Sequence, residues 1–185
     1  MMRFPVLMVR RRRAEVAYFT LRRRSHGSFV LGDELALRLH GEGGLLNFFL
    51  LMARRYFPRA LYRQVDWPSS EQAALADAFK LTGAWRLEGD SWFLPLLFAL
   101  ACAEWGRPWP AKILASGAIR QCRGLRCVSV GGAVHKLRRA QSSGCLCFLP
   151  KSNVTQLRRR NVDMSACLPL PCGVDQCLEL WRRYV

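Results

Sequence analysis

The sequence predicts an α+β fold, and three observations carry that reading. Short apolar segments of strand character, Phe4–Val9, Ala14–Leu21 and Phe29–Leu31, alternate with Arg-rich or Ser-His-Gly-Ser turns near the N-terminus. Apolar residues recur at helical spacing in Leu45–Phe57 and Val174–Tyr184. Between these, Val130–Leu149 reads as strand, Gly-Gly turn, short helix, Gly stop and strand, a βαβ unit.

Taken in order, Glu34–Leu39 alternates apolar and polar residues as a strand does, and Gly41-Glu42-Gly43-Gly44 breaks it. Leu45, Phe48, Phe49, Met52 and Tyr56 line one helical face, and Pro58 ends the helix. Leu61–Val65 is a further short strand. Ser69 or Ser70 is placed to cap a helix over Gln72–Phe79. Trp85–Ser91 is a polar turn. Trp92–Glu104 is apolar on all sides, so it should be a buried central helix, and Pro95 near its start removes few bonds. Lys112–Ala115 is a strand that ends at Ser116-Gly117-Ala118-Ile119, and Leu125–Val130 is the strand before the Gly-Gly turn. After Pro150 the sequence predicts a loop at Lys151-Ser152-Asn153, then a short helix to Leu157. Leu168–Pro171 is extended. Val174, Cys177, Leu178 and Trp181 mark the inner face of a C-terminal helix.

The 185 residues suffice for one domain with a real core, and the net charge of +16 directs attention to acidic partners. That charge comes from Arg runs at 10–13, 22–24 and 158–160. Its plain reading is a solvated surface, with nucleic acid a secondary possibility that no helix-turn-helix, zinc or RNA-recognition signature supports. None of the eight Cys forms a C-x-x-C pair and the three His stand apart from them, so no metal or other cofactor is expected. Cysteines placed in strands act as small apolar residues, which points to a reduced, cytoplasmic protein. Phe4–Val9 is too short for a signal peptide and the longest apolar run, Trp92–Ala103, too short for a membrane span.

Two residues stand out chemically. Ala133, Lys136, Leu137 and Ala140 share one helix face, so Lys136 sits in the middle of the core-facing stripe. A buried cation is costly unless it is paired or sheds its proton. The chain has four Lys against 25 Arg, so a Lys here suggests an amine that must lose its proton, as Arg cannot. Ser91 opens the apolar helix. Alone it reads as a helix cap, but exposed N–H groups and the positive dipole end also favour an oxyanion there.

Glu88-Gly89-Asp90-Ser91, the apolar helix, Gly106-Arg107-Pro108, Ser116-Gly117-Ala118-Ile119, Val130-Gly131-Gly132-Ala133-Val134-His135-Lys136 and Leu149-Pro150-Lys151-Ser152-Asn153 follow one another in that order. This order resembles the proteolytic domain of the Lon family of Ser–Lys peptidases. The match is specific from Glu88 onward and little better than topology over the basic strands of residues 1–30. The resemblance implies a single Lon-like domain over residues 1–185, with mixed sheets, packed helices and a βαβ unit around the lysine. It implies that Ser91 is the nucleophile, Lys136 the general base, and Ser116 an auxiliary hydroxyl that holds the lysine. The implied activity is a serine endopeptidase that works through an acyl-enzyme on protein or peptide substrates. No phosphate loop of an ATPase module is present, so a separate regulatory or unfoldase partner is implied, and a hexameric ring is the family's habit. The chain departs from the family in Asp90, Trp92 and Phe93, which replace small residues or Pro around the serine, and in Ala118, which replaces a Glu. The alternative is a catalytically dead Lon-like domain that binds an acidic protein or nucleic acid, with Trp92 and Phe93 filling the old cleft.

Overall fold

The computed structural model describes residues 1–25, 30–33, 35, 54–58, 63–67, 69–82 and 89–185. The fold is α+β. Along the chain come β1 (Met2–Arg10), β2 (Arg13–Arg23), β3 (Val30–Leu31), β4 (Arg63–Asp66), α1 (Ser69–Ala78) and α2 (Phe93–Trp105). Then follow β5 (Ile113–Ala115), β6 (Ala118–Gln121), β7 (Leu125–Val128), α3 (Ala133–Ser142), β8 (Leu146–Pro150), α4 (Lys151–Arg159), β9 (Cys167–Leu170) and α5 (Val174–Trp181). Contacts divide the chain into two interleaved units.

The first unit takes Met1–Phe4, Tyr18–Gly89 and Ala99–Trp109. The four-stranded sheet has the order β1-β2-β4-β3, with β4 antiparallel to β2 (Thr20↔Asp66 to Arg23↔Arg63) and parallel to β3. Its interior is aromatic: Phe19 stacks on Trp67 at 5.5 Å and meets Phe4 at 5.8 Å. α1 begins at Ser69, so both serines offered as caps lie inside the helix. Asp33 and Leu35 are helical, against the strand expected over Glu34–Leu39, whose other residues lie outside the described ones. Of the helix expected over Leu45–Phe57, residues 54–56 are helical and 45–53 lie outside the described residues.

The second unit takes Pro5–Ala17, Asp90–Phe98 and Pro110–Val185. It includes the tip of the β1–β2 hairpin, where Arg11 and Arg12 both have positive φ, 44° and 69°. Left-handed backbone at both turn residues matches the twist of the flanking strands, though Asn-Gly is the usual choice for it. The start of α2 is buried on every side, as its all-apolar sequence requires. A parallel sheet of order β5-β8-β9 forms the centre. α3 lays Leu137 and Ala140 on one apolar cluster with Leu114, Cys147 and Leu149 of the sheet and Val154 and Leu157 of α4. α5 turns Val174, Cys177, Leu178 and Trp181 inward, and Trp181 stacks flat on Phe98 at 4.4 Å.

Two sequence expectations are corrected in this unit. The strands on either side of α3 do not form a βαβ unit around Lys136. β7 pairs antiparallel with β6 (Ala118↔Val128 to Gln121↔Leu125), while β8 pairs with β5 and β9. The cause is the turn at Arg123 and Gly124, whose φ values of 43° and 110° close a local hairpin and engage β7 with its sequence neighbour. α3 thus lies in the crossover between the parallel neighbours β5 and β8, so the βαβ unit that holds Lys136 takes β5, and not β7, as its first strand, and β8–α4–β9 is a second such unit. The second correction is that Lys151-Ser152-Asn153 is no loop. α4 starts at Lys151, directly after Pro150, which is the helix N-cap with extended backbone.

Candidate active site

Lys136 is 2% exposed and Ser116 1% exposed. The Lys136 amine donates a 2.8 Å hydrogen bond to Ser116 Oγ. The Ser116 hydroxyl in turn donates to the Ser91 carbonyl oxygen at 3.5 Å. The Gly117 N–H donates to that same carbonyl at 3.1 Å, and the Leu94 N–H donates to the Gly117 carbonyl at 3.1 Å. The segment that opens α2 and the segment that joins β5 to β6 are therefore tied together, with Ser116 between Ser91 and Lys136. Among the described residues no direct hydrogen bond joins the Ser91 hydroxyl to the Lys136 amine.

Gly117 is part of this join for a steric reason. A Cβ there would lie 3.0 Å from Cys127 Sγ and 3.0 Å from Leu94 Cδ2, too close for any side chain without displacement. On the lysine side, Asn153 accepts from the Val130 N–H at 2.9 Å and donates to the Val130 carbonyl at 3.0 Å. An amide is the side chain that can do both at once. It fixes the chain just ahead of Gly131-Gly132, where Gly132 has φ 67° and lies close beneath Val9. That fixes where α3 begins, and so where Lys136 points.

Burial pushes the Lys136 amine down from its ordinary 10.5 to about 8, with Cys147 and Asp90 acting in the opposite direction. Cys147 is wholly buried, and burial drives its thiol well above the ordinary range, so across neutral pH it is an uncharged neighbour. The negative charge that Lys136 feels is Asp90. The Asp90 carboxylate also forms an ion pair with Arg120 of β6, and its carbonyl accepts the Phe93 N–H at 3.1 Å.

The start of α2 offers fewer oxyanion donors than its sequence suggests. The N–H groups of Phe93 and Leu94 are both engaged by carbonyls and Pro95 has none. Trp92 and Phe93 are buried, ring edge to ring face with centroids 4.8 Å apart. Ser91 itself is half-buried. His135 is half-buried on another side of α3.

Ser91, Lys136 and Ser116 are thus brought together around one join. Sequence reasoning missed Gly117, Asn153 and the Arg120 partner of Asp90. The Asn of Leu-Pro-Lys-Ser-Asn was the visible signal for one of them, because Asn so near a strand end is placed to satisfy backbone groups. Among the described residues no three His, Cys, Asp or Glu side chains could hold a metal ion, and no helix is long and apolar enough to cross a membrane. The eight cysteines are all free thiols. No protein-family model matches the chain, and no curated protein matches it.

Proposed function

We propose that this chain is a Lon-like serine peptidase in which Ser91 is the nucleophile and Lys136 the general base. The observation that supports it most is the buried Lys136 amine, lowered to about 8 and hydrogen-bonded to a hydroxyl that also reaches the Ser91 main chain. A serine hydroxyl is a weak nucleophile until a base takes its proton, and a lysine can do so near neutral pH only when burial has lowered it. The ordered series of motifs from Glu88 to Asn153 adds the family resemblance and, with it, the finer reading of the fold as a Lon-type proteolytic domain.

In this reading the free amine of Lys136 takes the Ser91 Oγ proton as Oγ attacks the peptide carbonyl carbon. Catalytic hydrogen bonds of this kind often close only when substrate is bound. The tetrahedral intermediate collapses with loss of the amine product, which receives its proton from the Lys136 ammonium. Lys136 then deprotonates a water, which attacks the acyl-serine ester and restores the Ser91 hydroxyl as the acid product leaves. Ser116 holds the amine in both protonation states, because its oxygen accepts from either. Substrates are flexible peptide segments, or chains delivered by a separate unfoldase; a ring of six copies and a cytoplasmic location belong to the same proposal.

Hydrolysis of a mixed library of internally quenched peptides by wild type, Ser91→Ala and Lys136→Ala tests it. Both variants should lose about a thousandfold or more in kcat. Equal rates in all three overturn the reading of Ser91 and Lys136 as a catalytic pair.

A further inference from the structure

The β6–β7 hairpin carries three arginines, Arg120, Arg123 and Arg126, and no carboxylate. Arg120 and Arg126 are direct cross-strand partners in the antiparallel register, so their side chains leave the same face. Like charges placed opposite one another destabilise a hairpin. Asp90 offsets one of them through its ion pair with Arg120. Arg123 and Arg126 are exposed, and among the described residues neither has a carboxylate within ion-pair distance.

This half-neutralised pair has a fixed relation to the candidate nucleophile. Asp90 is the residue before Ser91, and the Gly117 N–H that binds the Ser91 carbonyl lies immediately ahead of β6. Arg120 is three residues further on, about 10 Å of extended chain. A peptide held in extended form at Ser91 covers that distance in about three residues. Arginine suits the task, since its planar fork meets a carboxylate through two parallel N–H donors.

We propose that Arg126, beside the Asp90-paired Arg120, forms a specificity subsite for an acidic side chain of the substrate, placed about three residues from the scissile bond. The inference rests on the peptidase reading of Ser91 and Lys136. It names the substrate class as peptides with Asp or Glu near the cleavage point. Arg126 is a specificity-determining residue here, and the substrate carboxylate supplies the counter-charge that β6–β7 lacks.

The test uses quenched peptides that differ only in carrying Glu, Gln or Lys two to four residues from the cleaved bond. kcat/KM is measured for wild type, Arg126→Gln and Arg126→Glu, at low and high salt, with the same labelled peptides followed by fluorescence anisotropy. Wild type should favour Glu over Lys peptides by about tenfold, and salt should shrink that ratio. Arg126→Gln should level the ratio and Arg126→Glu invert it. Cleavage of all three peptides at equal rates overturns the subsite and leaves the peptidase standing. If wild type cleaves none of them, the peptidase reading falls and with it the placement relative to a scissile bond, while an Arg126-dependent preference for the Glu peptide in binding upholds Arg126 as a carboxylate-recognising residue. Equal binding of all three then removes both.

Discussion

The Lys136 amine and the Ser116 hydroxyl share a buried 2.8 Å hydrogen bond. No carboxylate takes the place of that hydroxyl, so the amine is held by a neutral partner and burial dominates its protonation. Had an acid stood at position 116, opposite charge would have raised the amine instead. The same hydroxyl touches the Ser91 main chain, so one small side chain ties the proposed base to the segment that carries the proposed nucleophile.

Peptide hydrolysis should therefore rise with pH through about 8 and level off above it, because the ammonium cannot accept the Ser91 proton. Ser116→Ala removes an acceptor that favours the charged amine, so it should move this midpoint lower while reducing the plateau rate. A pH–kcat/KM profile that is flat from 6 to 9 in wild type would exclude Lys136 as the base.

Stability has a matching signature. The amine titrates at about 8 folded and 10.5 in its ordinary state, so between those values the unfolded chain holds more protons and stability rises with pH. Below pH 8 both states are charged and the full burden of a buried ammonium is felt. The interval corresponds to about 3 kcal/mol. Lys136→Met should abolish this increment. Denaturant melts of wild type and Lys136→Met at pH 7 and pH 10 would show it as a difference between the two proteins that changes by about that amount; a constant difference refutes the assignment.

Gly117→Ala should destabilise by about 1–3 kcal/mol, as overpacking of a tight interior does. The new methyl meets Cys127 Sγ and Leu94 Cδ2 at 3.0 Å each. Cys127→Ala removes one of these obstacles, so the double variant should recover part of the loss. Strict additivity of the two changes in thermal melts would contradict the geometry.

Asn153→Asp keeps the acceptor for the Val130 N–H but loses the donor for its carbonyl and adds a charge at a site only 2% exposed. A loss of about 1–3 kcal/mol is expected near neutral pH, eased as the carboxylate is protonated in acid. A melting temperature equal to wild type at pH 7 would show that Asn153 does not hold the turn ahead of α3.

What the sequence made legible was local. The spacing of Ala133, Lys136, Leu137 and Ala140 placed Lys136 on the buried face, and all four are buried. The stripe of Val174, Cys177, Leu178 and Trp181 was equally readable, as was the all-apolar start of α2. Partnerships across the chain were not. Whether β7 pairs with β6 or with β8 depends on competition between strands, and periodicity within β7 carries no record of its partner. The Asp90–Arg120 ion pair spans 30 positions for the same reason. The first turn of α4, Lys151-Ser152-Asn153, reads as a loop because Ser and Asn compete with helical hydrogen bonds in isolation, whereas the helix is held by Val154 and Leu157 in the core. The hydroxyl contact of Ser116 was expected only through the family resemblance, since nothing in residues 112–119 alone points to an amine 20 positions ahead.

Arg11 and Arg12 form a hairpin tip in a backbone shape that suits Asn-Gly far better. Arginine in left-handed backbone forgoes about 1 kcal/mol or more per position. That tip is a reserve of hardiness left undrawn: writing Asn-Gly into the two positions should raise the melting temperature and trim two positive charges at a single stroke. A sturdier, less sticky version of the protein is thus within reach of one primer pair, at a site remote in sequence from Ser91, Ser116 and Lys136.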